Sequence, residues 1–242
     1  VLNTNNWTEV NSNTAWAKRR YHTCVVKNDI IYIMGGIGAS LFNDVWYSTD
    51  YGLTWLQSTS DAGWSGRIFH TSVVHNNKLF IIGGYNETHH FNDVWSSSDG
   101  GVNWNEQIKH AEFSPRALHT SVIYDDKIYV LGGSDGGSFN DIWSSDDDGV
   151  NWVEVVASAG WSARNNHDSI VLNNNIYVIG GNDGSKLNDV WVSGNGGVTW
   201  NQAVEHASWS ARGAQACTNW DGVIYIIGGN DGVDIYQWSG LE

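Results

Sequence analysis

Five Gly-Gly pairs divide this chain at an almost constant distance. They begin at Gly35, Gly83, Gly132, Gly180 and Gly228, spaced by 48, 49, 48 and 48 residues, and each follows an apolar run: IYIM, LFII, IYVL, IYVI and IYII. A period of this length marks one supersecondary unit stacked on its neighbours, because a single unit cannot bury its own apolar face. Other residues keep the same register. An arginine recurs at Arg19, Arg67, Arg116, Arg164 and Arg212, followed three positions later by His22, His70, His119, His167 and then Gln215. Two tryptophan series run at Trp46, Trp95, Trp143, Trp191, Trp238 and at Trp7, Trp55, Trp104, Trp152, Trp200.

Each unit reads as four short strands. In the second they are HTSVVH, KLFIIGG, NDVWSSS and VNWNEQI, with β-branched and aromatic residues in the strands and Asn, Asp and Gly between them. No segment carries sustained helical periodicity. The pattern predicts an all-β, five-bladed β-propeller of four-stranded antiparallel blades, one domain over residues 1–242. From Trp200 a further period overruns the chain, whereas Trp7 lies 48 residues before Trp55. The N-terminal strand is therefore expected to complete the last blade and close the ring, which removes two exposed sheet edges.

Composition narrows the partners. Twelve Lys and Arg stand against 26 Asp and Glu, a net charge of −14, and such a field repels nucleic acid and anionic lipid. No apolar run approaches the roughly 20 residues of a membrane-spanning helix. Two cysteines make neither a disulfide framework nor a Cys-built zinc site. Neither a metal nor a cofactor is expected. Low Lys and Arg with abundant Asn and Thr is compatible with a secreted, monomeric protein.

The combination Arg-x-x-His, apolar strand, Gly-Gly and Asn-Asp-Val-Trp resembles the kelch repeat along the whole chain. A nested Ser-x-Asp-x-Gly-x-x-Trp, as in Ser48-Asp50-Gly52-Trp55, Ser97-Asp99-Gly101-Trp104 and Ser145-Asp147-Gly149-Trp152, resembles the Asp-box of bacterial sialidases; in the fourth unit Asn195 replaces the acid. In sialidase-like proteins these boxes lie away from the catalytic centre, so the resemblance implies a turn and not a glycosidase. In kelch propellers the loops joining strands two to three, and strand four to the next strand one, share the usual ligand face.

Candidate site residues follow from that face. The recurring Arg19, Arg67, Arg116, Arg164 and Arg212 can ring a central mouth and grip a carboxylate or sugar hydroxyls. The preferred reading pairs them with Asp44, Asp93, Asp141 and Asp189, because buried charge is normally paired; Arg212 lacks a matching acid, since Tyr236 falls there, and is the expected free member. The histidine series lacks recurring carboxylates, which argues against a metal site. Departures from repetition are better clues to specificity. The Tyr85–His90 loop carries His89 and His90, and the next loop of the same blade carries Lys109, His110 and Glu112. The two loops are expected to meet.

The leading functional expectation is a non-catalytic binding module that presents loops on a rigid ring to a protein, peptide or glycan. The alternatives are a carbohydrate-active enzyme of the sialic-acid mutarotase or sialidase-like type, and a purely structural repeat. The enzyme would need an unpaired acid or base beside the arginines, and Glu87, Glu112 and Glu205 have no evident partner.

Overall fold

The structure is a computed structural model that describes residues 8–232 and the backbone of 238–241. All regular structure in these residues is β. The first sheet is β1 (Thr23–Lys27), β2 (Ile30–Met34), β3 (Val45–Ser48) and β4 (Leu56–Thr59). The second is β5 (Thr71–His75), β6 (Lys78–Tyr85), β7 (His90–Ser97) and β8 (Asn105–Ile108). The third is β9 (Thr120–Tyr124), β10 (Lys127–Ser134), β11 (Ser138–Ser145) and β12 (Val153–Val156). The fourth is β13 (Asp168–Leu172), β14 (Asn175–Asn182), β15 (Lys186–Ser193) and β16 (Asn201–Val204). The fifth holds three strands among the described residues, β17 (Gly213–Trp220), β18 (Val223–Asn230) and β19 (Trp238–Leu241). Every sheet is an antiparallel meander in chain order, and the first strands β1, β5, β9, β13 and β17 lie side by side in sequence. This is the blade arrangement of a β-propeller.

Local chemistry accounts for each hairpin. Strands one and two are joined by Asn28-Asp29, Asn76-Asn77, Asp125-Asp126, Asn173-Asn174 and Asp221-Gly222, all at positive φ. Two consecutive left-handed residues make the hairpin turn whose twist matches the strands, and Asn, Asp and Gly enter that region cheaply. The turn into the fourth strand is closed by side chains. Ser97 Oγ accepts the Gly101 N–H at 2.9 Å, Asp99 Oδ1 accepts the Asn103 N–H at 3.0 Å, and the Trp104 indole N–H donates to the Gly101 carbonyl at 3.1 Å. Trp104 thus belongs to the turn. The fourth strand consequently starts at Asn105, three residues later than the sequence pattern from Val102 predicts.

The cores lie between sheets. Tyr32, Met34 and Val45 of the first sheet pack with Leu79 and Ile81 of the second and with Trp64 of the linking segment, and the next three interfaces repeat the arrangement. Polar ties accompany them. The second glycine of each pair donates to the next blade's arginine carbonyl: Gly36 to Arg67, Gly84 to Arg116, Gly133 to Arg164 and Gly181 to Arg212, at 2.8–3.0 Å. A Cβ on Gly84 would stand 2.8 Å from His70 Cβ, so the site requires glycine as well as its φ of +107°. Among the described residues no such bond joins Gly229 to Arg19. The far face of the fifth sheet is also more open: Ile227 is 40% exposed, whereas its counterparts Met34, Ile82, Leu131 and Ile179 are 0% exposed. Trp7, on which the expected closure turns, lies outside the described residues.

Four arginines form bidentate pairs within their own blades. Arg67 Nη1 and Nη2 contact Asp93 Oδ1 and Oδ2 at 2.6 and 2.8 Å, and Nη1 also donates to the Gly83 carbonyl at 2.8 Å. Arg19–Asp44, Arg116–Asp141 and Arg164–Asp189 repeat this geometry. Arg67 is completely buried, with its guanidinium 4.3 Å from the Phe91 ring centroid. Removing one partner strands the other charge in the interior, so Arg67→Ala should cost about 3–5 kcal/mol, measured by urea denaturation.

The turn carboxylates generate a second expectation. Burial is the largest single influence on Asp99 and raises its pKa, but the hydrogen bonds from Asn103, Ser97 and Val102 together outweigh it and hold the group below the usual range. A depressed folded pKa contributes stability that is present above the unfolded value and is lost as pH falls through the folded one. Asp99→Asn, which copies the natural Asn195 turn, should therefore flatten the fall in Tm between pH 5 and pH 2. An unchanged slope would show that this turn does not contribute to acid lability.

Candidate functional site at the central mouth

The recurring arginines are engaged by partners within the protein. Arg19, Arg67, Arg116 and Arg164 spend their guanidinium edges on aspartates and glycine carbonyls. Arg212, expected to be free for want of an acid, is 2% exposed and donates to the Ser210 carbonyl, the Ser210 hydroxyl and the Gly228 carbonyl at 3.0, 2.7 and 2.6 Å. Tyr236 lies outside the described residues.

The histidines tie blade to blade. His70 Nε2 lies 3.0 Å from Thr23 Oγ1, His119 Nε2 lies 3.0 Å from Thr71 Oγ1, and His167 Nε2 lies 3.1 Å from Thr120 Oγ1. Burial, reinforced by the adjacent Arg67 and Arg164 charges, lowers His70 and His167 to about 3, so both imidazoles are neutral at ordinary pH. Among the described residues no cluster of three or more His, Cys, Asp or Glu is placed to hold a metal.

The two loops singled out for their irregular sequence are each held locally. Tyr85 stacks on His90 with ring centroids 4.6 Å apart and donates its hydroxyl to the Glu87 carbonyl at 2.7 Å; His89 Nδ1 lies 2.8 Å from Thr88 Oγ1. In the following loop His110 Nδ1 lies 3.5 Å from Asn92 Oδ1, and Glu112 Oε2 accepts the Trp152 N–H of the next blade at 3.1 Å. Glu112 is thus an inter-blade tie. Among the described residues no hydrogen bond or ion pair joins His89 or His90 to Lys109, His110 or Glu112 in the structure.

The structure brings together another set of residues. Two positions after each arginine stand Tyr21, Phe69, Leu118, Asn166 and Ala214, and all have left-handed backbones with φ of 54° to 58°. Backbone bonds link the last four in succession: Leu118 N–H to Phe69 O, Asn166 N–H to Leu118 O and Ala214 N–H to Asn166 O, at 3.0, 3.1 and 2.8 Å. These five residues, with Asn182, Lys186, Gly213 and Asn230, line a cavity of about 330 Å³ at the mouth of the ring. That volume lies at the small end of the range for ligand pockets. One arc is apolar, with the Tyr21 and Phe69 rings 4.4 Å apart and Leu118 beside them. The opposite arc is amide-rich, and Lys186 there donates to Asn230 across the gap between the fourth and fifth blades.

A left-handed backbone is cheap for Gly or Asn and costs a bulky residue on the order of 1 kcal/mol or more. Tyr, Phe and Leu at these positions are therefore held at a cost by the surrounding ring. Sequence reasoning passed over the series because it sits between two constant positions, Arg and His. The signal was available: this position changes in every unit, between a repeated arginine and the His or Gln that follows it.

The comparison with known families agrees with this geometry. A family profile described as the KLHDC2/KLHL20/DRC7 Kelch-repeats domain matches residues 1–181 and 102–237. Against curated proteins the chain finds no match. Matches that together span nearly the whole chain, laid over sheets that repeat with the Gly-Gly period, place this protein in the Kelch-repeat domain family.

Proposed function

We propose that this chain is a protein-interaction module whose mouth binds an exposed peptide segment of its partner. The observation that carries the reading is the left-handed ring: strained, bulky and varied side chains stand where the repeat needs only a backbone conformation. Kelch-repeat membership supports the class of partner. The apolar arc of Tyr21, Phe69 and Leu118 suits an aliphatic or aromatic side chain, and the amide arc suits the peptide backbone beside it. Nothing in this arrangement calls for chemistry on the ligand.

Selection from a displayed peptide library gives the test. Leu118→Gly removes a lining side chain and relieves the left-handed strain, so the variant should melt no lower than the parent. Peptides selected on the parent should bind it at least tenfold more weakly. Equal binding by both would place recognition elsewhere, with the Tyr85–His90 loop as the next surface to examine.

Ring completion belongs to the same proposal. We read the segment bearing Trp7 as the outer strand of the fifth blade, on the strength of its spacing to Trp55. Deleting residues 1–10 should lower Tm markedly or cause aggregation, measured by calorimetry and light scattering. Unchanged melting would mean that the fifth sheet is complete without them.

A further inference from the structure

Of the four inter-blade seams among the described residues, three are alike and one is not. Between blades one and two, two and three, and three and four, a threonine on the first strand faces the next blade's histidine: Thr23–His70, Thr71–His119 and Thr120–His167. Two of the threonines also reach the next blade's serine, Thr71 to Ser121 at 2.6 Å and Thr120 to Ser169 at 2.7 Å. Between blades four and five all three partners change together. Asp168 replaces the threonine, Gln215 the histidine and Cys217 the serine.

The replacements leave a carboxylate inside the seam. Asp168 Oδ2 accepts the backbone N–H of Cys217, and Oδ1 accepts the N–H of Ser169 at 2.7 Å. Gln215 Nε2 donates to the Ile179 carbonyl at 2.8 Å, while its buried Oε1 has no partner. From β17 the titratable group facing Asp168 is the Cys217 thiol, itself pushed far up by burial. From β14 its register partner is Ile179, which carries no charge. The nearby cations are engaged elsewhere, Arg164 with Asp189 and Arg212 with Ser210 and Gly228, and no ion pair to Asp168 occurs among the described residues. His167 on the same segment is neutral and directed at Thr120 of the third blade.

We propose that the seam between the fourth and fifth blades is a pH-sensitive joint, in which deprotonation of Asp168 loosens the fifth blade and one wall of the mouth. The charged form lacks a counter-ion in an enclosed place, whereas the protonated form removes that charge at no steric cost. Burial, only partly offset by the hydrogen bonds from Cys217 and Ser169, raises this carboxyl from 3.8 to about 6. An acid whose pKa is raised by burial holds its proton in the closed seam and loses it when the seam opens. Closure is therefore favoured at low pH, weakens as pH rises from about 4 through 6, and is constant above that. The same joint carries Ala214, Gly213 and Asn230 into the mouth, and the Asn166–Ala214 and Lys186–Asn230 bonds span it.

Amide hydrogen exchange on the full chain tests it, read as protection factors at pH 5 and pH 7.5. The amides of β17 and β18 should lose about tenfold of their protection at the higher pH, and those of β5, β6, β9 and β10 should keep theirs. Asp168→Asn should hold the pH 5 protection at both values. Asp168→Thr combined with Gln215→His, which restores the tie of the other seams, should do the same. Should that double variant not fold, the isosteric Asp168→Asn decides alone. The proposal is overturned if β17 and β18 show no change with pH, if the change persists in Asp168→Asn, or if all five sheets lose protection equally.

Discussion

The fold depends on a residue that works in two directions. Arg67, Arg116 and Arg164 each bind an aspartate of their own third strand through the side chain and accept the preceding blade's glycine N–H through the backbone. The first contact fixes where the inner strand begins, and the second fixes how far apart neighbouring blades stand. An ion pair this deeply enclosed is costly to desolvate, and it persists because both guanidinium edges are filled and an aromatic ring covers the face. The glycine pair is the other half of the device, since a side chain there would meet the next blade's histidine or the blade's own inner strand.

That device explains why the most conspicuous residues are poor ligand candidates. Arginine, histidine and tryptophan recur at the seams and turns, where arginines bond aspartate, histidines threonine and turn tryptophans a glycine carbonyl. What remains variable is what the scaffold does not use. The side chains of the left-handed ring fall in this class: the backbone there is fixed by inter-blade bonds, and the side chain is free to differ from blade to blade. A rigid frame with a small set of varied positions converging on its axis is suited to recognition, because little has to be ordered when a partner binds.

The fifth blade follows the repeat less closely than the others. Its seam with the fourth replaces a neutral hydroxyl–imidazole tie with a half-buried carboxylate, and its far face leaves Trp220 and Ile227 exposed at 66% and 40%. A repeat array held by nearest-neighbour interfaces is only as uniform as those interfaces. Local stability in this molecule is therefore expected to be graded along the chain, strongest where the Thr–His ties stand in succession.

Periodicity alone determined the number of units, the strands, the hairpin turns and the pairing of arginine with aspartate. These features are set by residues close in sequence, or by contacts repeated identically, so one unit teaches the rest. The start of the fourth strand was misjudged because Trp104 looks like a strand residue, and only its indole bond to Gly101 shows that it closes a turn. The bonding of Arg212 could not be read from the missing aspartate, because its bonds to the Ser210 and Gly228 oxygens leave no sequence signature. The mouth is likewise a tertiary product. Tyr21, Phe69, Leu118, Asn166 and Ala214 are 48 or 49 residues apart, and they become one surface only because five inner strands converge around an axis.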